Sequence, residues 1–210
     1  MDQWRHDVSC AVMQLPAILG TTLDTIPACV PYLRAPDDVL ARWMPRVEAL
    51  PGIRVGITWA GNPRNARDHL RSFRLDDLAP LADVPGVTLV NLQKGREGEP
   101  LAYTAFPITR LDGAAEDDTW STTAAIMASL DLIVAPDSAV AHLAGALGRP
   151  VWIALPFRAE WRWLRHREDS PWYPTARLWR QEKLGDWGGL FRRMASALAG
   201  HVAGANLECR

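Results

Sequence analysis

A chain of 210 residues, 48% hydrophobic and 22% charged, has the composition of an ordinary globular protein long enough for one well-buried core and an appendage. Lys and Arg number 23 against 24 Asp and Glu, and the net charge of −1 excludes a global field that would draw the chain to nucleic acid or an anionic membrane. Cys10, Cys29 and Cys209 are odd in number and lack metal-type spacing, which argues against a disulfide scaffold or zinc site and fits a reducing, cytoplasmic home.

The apolar stretch at 8–20 contains Gln14 and Pro16 and follows Asp2, Arg5, His6 and Asp7. It lacks the cationic start of a signal peptide and is too short to span a bilayer. Prolines at 16, 27, 31, 36 and 45 make residues 1–50 a connector rather than a regular domain. The exception is an amphipathic helix over 37–50, with Asp37-Asp38 in its first turn and Val39, Leu40, Trp43, Val47 and Leu50 at helical spacing.

From Pro51 onward strands and helices alternate, the pattern of an α/β domain with a Rossmann-like, doubly wound, mostly parallel sheet of about six strands over 51–200, followed by a tail at 201–210. The first strand, 53–59, opens into a long polar loop that could set Asn62, Arg67 or Arg71 on a phosphate or sugar. A helix at about 76–81 leads to a second strand at 87–92, whose end puts Lys94 on the same rim. A short helix near 99–106, a weak strand at 108–111 and a helix from Asp117-Asp118 to Leu130 come next.

The segment 130–156 reads as strand, helix and strand with almost no loop. Asp137 or Ser138 is placed to cap the helix, and Gly148 suits a left-handed cap at its far end. Ser138 and His142, four apart, share one helix face. In open parallel sheets ligands lie outside the carboxyl ends of strands, where Asp137 and Ser138 must sit. A polar loop over 156–163, a sixth strand at 176–180 and a final amphipathic helix capped by Asp186 complete the chain. Most of the 10 tryptophans are expected in the core.

No G-x-G-x-x-G follows the first strand, no Walker A sequence is present, and no G-x-S-x-G elbow activates Ser138. The Asp-Asp pairs at 37, 76 and 117 each start a helix and read as first-turn acids, so neither a metal site nor a cofactor is expected.

Asp137-Ser-Ala-Val-Ala-His142 followed by Leu-Ala-Gly-Ala-Leu-Gly-Arg-Pro150 resembles the D-[ST]-G-x-x-H-x-A-x-A-x-G-x-P signature of the ADP-heptose:lipopolysaccharide heptosyltransferases, the family 9 glycosyltransferases. Trp59-Ala-Gly-Asn-Pro63, Arg71-Ser-Phe, Leu92-Gln-Lys-Gly95 and Glu160-Trp-Arg-Trp163 resemble the heptosyltransferase-like domain at the end of many bacterial tetratricopeptide-repeat proteins. The resemblance implies the C-terminal half of a GT-B glycosyltransferase that binds a nucleotide-sugar donor, with residues 1–50 including a remnant of the N-terminal half. It places Asp137, Ser138 and His142 on the diphosphate and sugar, with Lys94 and Arg71 neutralising phosphate. The acceptor, a glycan or a protein, is left open, and no catalytic residue is assigned, because the family's base belongs to the other half. Ala139 departs from the pattern, which has glycine there. A non-catalytic ligand-binding or protein-interaction module that retains the fold is the alternative reading.

Overall fold

The computed structural model describes residues 7–94, 105–111, 113, 117 and 119–208. The helix expected at 99–106 lies mostly outside these residues, as does Cys209.

Five strands form the sheet: β1 (Ile53–Ile57), β2 (Val87–Asn91), β3 (Leu132–Pro136), β4 (Val151–Leu155) and β5 (Ala176–Arg180). They pair in parallel in the order β2-β1-β3-β4-β5. Every residue of β3 and β4 is buried, as the central strands of a sheet covered on both faces must be. Successive side chains enter opposite layers. Ile133, Ala135, Val151 and Ile153 pack with Trp43, Val47, Ile126 and Met127, whereas Leu132, Val134, Trp152 and Ala154 pack with Leu78, Leu81, Phe191 and Met194.

The helices are α1 (Leu15–Ile18), α2 (Asp37–Glu48), α3 (Asp68–Arg71), α4 (Ala79–Ala82), α5 (Trp120–Ala128), α6 (Ala139–Ala146) and α7 (Trp187–Glu208). The first layer is built from α2, α5 and α6, and the second from α4 and α7. Among the described residues, no helix is long and apolar enough to cross a membrane. Trp43, Trp59, Trp152, Trp163 and Trp179 are buried, but Trp120 and Trp161 stay exposed.

Several expected elements take a different form. The strand expected at 108–111 is a single parallel bridge between Val90 and Thr109, preceded by Pro107, which offers no N–H to a ladder. The expected sixth strand is therefore β5. The helix expected at 76–81 divides into a 3-10 turn, Leu75–Leu78, and α4, because Pro80 starts a new turn more readily than it continues one. Helix α5 begins at Trp120, with Thr119 Oγ1 accepting from the Thr122 N–H at 3.1 Å, while Asp117 pairs with Arg42. Helix α7 runs through the expected tail as far as Glu208.

The described residues ahead of α2 form only short turns, and none of Val12–Gln14, α1 or Leu23–Thr25 contains a buried residue. The Tyr32 and Leu33 N–H groups then donate to Ala146 O at 3.0 and 3.2 Å, tying this segment to the carboxyl end of α6.

Helix α6 ends as its sequence requires. Gly148 takes φ +66°, its N–H donates to Gly145 O at 3.0 Å, and the Arg149 N–H donates to Ala144 O at 2.9 Å. This paired closure of the last carbonyls needs a left-handed residue, which glycine supplies without strain. Gly145 serves a different purpose, because a Cβ there would lie 2.3 Å from the Tyr173 ring. Gly145→Ala should therefore lower stability by about 1–3 kcal/mol through overpacking. Gly200→Ala, in α7 with nothing within 4 Å of the added methyl, should be neutral or stabilising by up to about 1 kcal/mol. Thermal denaturation of both variants checks the contrast.

Candidate functional site

Strand order reverses at β1: the chain goes outward to β2 and then returns to the other side of β1 to lay down β3. The two connections leave on opposite faces, so a crevice opens outside the carboxyl ends of β1 and β3. Residues 58–61 form one wall, and Asp137-Ser138 with the amino end of α6 form the other.

The first wall is shaped by Gln93. Its Oε1 accepts from Thr58 Oγ1 at 2.7 Å and from the Trp59 and Ala60 N–H groups at 3.0 Å each. Its Nε2 donates to Ala60 O at 3.1 Å and Lys94 O at 2.9 Å. One amide thus binds the turn after β1 to the turn after β2.

Asn62 and Arg71 are engaged locally. The Asn62 carboxamide oxygen accepts from the Arg64 N–H at 2.9 Å, closing a turn. Arg71 pairs at 3.3 Å with the buried Asp68 carboxylate, which also accepts from Ser72 Oγ at 2.9 Å. This pair packs so closely on Gly61 that a Cβ there would meet Asp68 Oδ1 at 2.3 Å. Arg71 therefore braces the rim of the loop. Lys94 stands at the end of β2, its Nζ donating to Thr119 O at 3.4 Å and lying 5.8 Å from the Trp120 ring centroid.

Asp137, Ser138 and His142 come together at the second wall, although neither acid nor hydroxyl caps the helix. Ser138 holds the extended N-cap conformation without a side-chain bond, and its buried Oγ has no partner. The amide groups of the first turn of α6 have no intrahelical acceptor. A buried hydroxyl and a helix amino end therefore stand at the carboxyl end of β3 with unused hydrogen-bonding capacity.

Asp137 turns toward His142, with Oδ1 at 3.7 Å from Nε2. Burial acts to raise its pKa, but the neighbouring polar side chains of His142 and Trp163 and the nearby charge of Arg162 outweigh it, so the carboxyl stays below its ordinary value. Arg162 donates from Nη1 to His142 Nε2 at 3.1 Å. A guanidinium only donates, so Nε2 is the acceptor, the ring proton lies on Nδ1, and Nδ1 donates to Tyr173 Oη at 2.9 Å. Burial first, and then the Tyr32 hydroxyl, push the Tyr173 phenol well above its ordinary value, which keeps its proton in place. The imidazole stacks on Trp163 at 5.4 Å and 16°.

Sequence reading missed Gln93, Arg162 and Tyr173. Gln93 stands beside Lys94 on a strand-end rim and could have been found there, since a buried-edge amide can satisfy several backbone groups at once. Arg162 lies in the Glu160-Trp-Arg-Trp163 motif, but nothing local ties it to His142.

Residues 119–155 match the model of glycosyltransferase family 9 (heptosyltransferase), a span running from the cap of α5 through β3 and α6 to the end of β4. E. coli ADP-heptose lps heptosyltransferase II superposes with a TM-score of 0.54 at 16% identity, over 89% of this chain and 58% of that one. A family 9 glycosyltransferase from Veillonella parvula gives a TM-score of 0.58 at 15% identity, over 80% and 47%. The fold is that of the family 9 glycosyltransferases. The chain is also 30% identical to protein FlbA of Caulobacter vibrioides over 97% of its own length, and it spans 35% of FlbA. The family 9 signature thus falls on the wall of the crevice that holds Asp137, Ser138 and His142.

The depressed Asp137 pKa has a direct consequence for stability. A carboxyl whose folded value lies below its unfolded value contributes stability that is complete above about pH 4 and is lost as pH falls through the folded value. Asp137→Asn should cost on the order of 1 kcal/mol at pH 7, and the gap to wild type should narrow below about pH 4. Urea unfolding at pH 7 and pH 3 measures it.

Proposed function

We propose that this chain is the donor-binding half of a heptosyltransferase-like glycosyltransferase. Residues 51–200 form the nucleotide-sugar domain, and residues 1–50 form the connector with a remnant of the acceptor-side half. The observation that carries this reading is the unpartnered, buried Ser138 hydroxyl beside the amino end of α6, at the carboxyl end of β3 where the strand order reverses. A diphosphate supplies the acceptors that this hydroxyl and the first-turn amides lack, and the positive end of the helix dipole favours its charge. Lys94 stands at the carboxyl end of β2 on the same edge and adds a cation.

The arrangement of Asp137 agrees with this role. Like charges about 4 Å apart repel by roughly 4 kcal/mol at an effective dielectric near 20, so a carboxylate facing the diphosphate would oppose binding. Asp137 is instead committed to the side of His142 and Arg162. Ala139 is exposed at the amino end of α6, so its methyl group borders the approach that glycine leaves open in the family pattern. That narrowing selects for the shape of the donor. The acceptor and the catalytic base belong to the half that faces this one, since transition-state positioning needs groups on both sides of the donor. A nucleotide-sugar ligand also suits the cytoplasmic home that the cysteines suggest.

Titration with ADP, GDP and UDP, with and without a chelator, tests the reading. Binding should be unaffected by chelation, because the amides, Ser138 and Lys94 supply the neutralisation. Ser138→Ala should weaken the preferred diphosphate by about tenfold, the loss of one hydrogen bond to a charged group. Lys94→Ala should weaken it and leave the remaining affinity less sensitive to salt. Loss of binding on chelation, or a Ser138→Ala variant that binds like wild type, would contradict the proposal.

A further inference from the structure

Trp161 keeps 60% of its surface exposed, an unusual position for so large an apolar side chain. It is nevertheless held firmly. Its ring meets Trp172 edge-on at 6.4 Å and 83°, and the Trp172 indole N–H donates to Arg162 O at 2.9 Å. Beneath the turn, the Arg180 guanidinium donates to the carbonyls of Trp163 and Leu164. Leu164 takes φ 53° and ψ −168°, a strained backbone region for a non-glycine residue that persists only where neighbours impose it. An indole displayed on so constrained a turn loses little freedom when a ligand covers it.

The two residues flanking the indole are also fixed. Glu160 Oε2 accepts from the Arg162 N–H at 3.0 Å and pairs with Arg162 Nε at 2.8 Å. A carboxylate and a guanidinium are therefore held side by side next to an open aromatic face, and the same guanidinium reaches His142 at 3.1 Å. This combination discriminates between ligand classes. An aliphatic chain would cover the indole but offer no hydrogen-bonding group to the partly exposed ion pair beside it, and a bare anion would meet Glu160 unfavourably and gain nothing from the ring. A pyranose uses all three groups: its C–H face packs on the indole, and its hydroxyls donate to the carboxylate and accept from the guanidinium.

We infer that Glu160, Trp161 and Arg162 form a subsite for a neutral pyranose ring at the rim of the crevice. The sugar chemistry follows from the turn alone. Its place beside a nucleotide rests on the donor-site reading above. The ring comes either from a nucleotide sugar or from a free glycan, and the test separates these sources.

Calorimetric titration of wild type, Trp161→Ala, Trp161→Phe and Glu160→Gln is the experiment. The probes are ADP, GDP and UDP, their glucose, mannose and N-acetylglucosamine conjugates, and a panel of free oligosaccharides. Wild type should bind a sugar conjugate more tightly than the bare diphosphate, or bind a free glycan. That sugar-dependent gain should fall roughly tenfold in Trp161→Ala and recover in part in Trp161→Phe, with the diphosphate affinity and melting temperature unchanged. Glu160→Gln should weaken only the sugar-dependent part. A diphosphate that binds without any added gain from sugar, and no bound glycan, would overturn the subsite and leave the donor reading standing. A free glycan bound through Trp161 with no nucleotide bound would do the reverse. A sugar gain that survives in Trp161→Ala would overturn the subsite, as would self-association of wild type that Trp161→Ala abolishes. Absence of all binding would overturn both readings.

Discussion

Covering a parallel sheet on both faces sends every strand out through the same edge, and the rest of the molecule depends on that constraint. Parallel pairing forbids hairpins, so each connection must cross a face and return. The polar turns then collect at the carboxyl edge while both faces are sealed by apolar helices. Because the order reverses between β1 and β3, their connections diverge to opposite faces, the arrangement in which open parallel sheets bind ligands. Thr58–Gly61 and Asp137-Ser138 are brought together by topology, without any direct bond between them being needed.

Two networks hold the edge in shape, and they differ in kind. On the β1 side a single neutral amide, Gln93, satisfies two backbone N–H groups and a hydroxyl, and the Asp68–Arg71 pair packs behind it on Gly61. On the β3 side the network is ionic. Asp137, His142, Arg162 and Glu160 alternate in sign or role, and they join α6 to the turn after β4. The charged groups are mutually engaged, whereas the neutral Ser138 hydroxyl at the start of α6 is buried without a partner. An anion entering there meets a hydroxyl and amides in a setting where opposing charge has been drawn aside.

The strand-helix-strand unit at 132–155 was legible because its signals are local. Apolar runs, Pro136 and Gly148 each act within a few residues, and the structure places the strand ends and the left-handed cap where those residues put them. The partner of Arg71 is local too: Asp68 stands three residues earlier, on the same helical turn, and engages its guanidinium. The capping role offered to Asp137 or Ser138 was not taken up. The Asp137 carboxylate turns to His142, an imidazole held by Arg162 and Tyr173, 20 and 31 residues further on, distances over which periodicity carries no information. The weak strand at 108–111 showed the limit of composition, since one bridge and a strand require the same few apolar residues.

The central claim is that a diphosphate occupies the crevice between β1 and β3 at the amino end of α6. Backbone amide NMR of the 15N-labelled chain, titrated with the nucleoside diphosphate that binds best, tests it most directly. The largest shifts should fall on Ser138, Ala139, Val140 and Ala141, with a second group at Thr58–Gly61 and little change at the amino ends of α2 and α7. Shifts confined to the opposite edge of the sheet, or to the amino ends of other helices with those of α6 unmoved, would contradict the account.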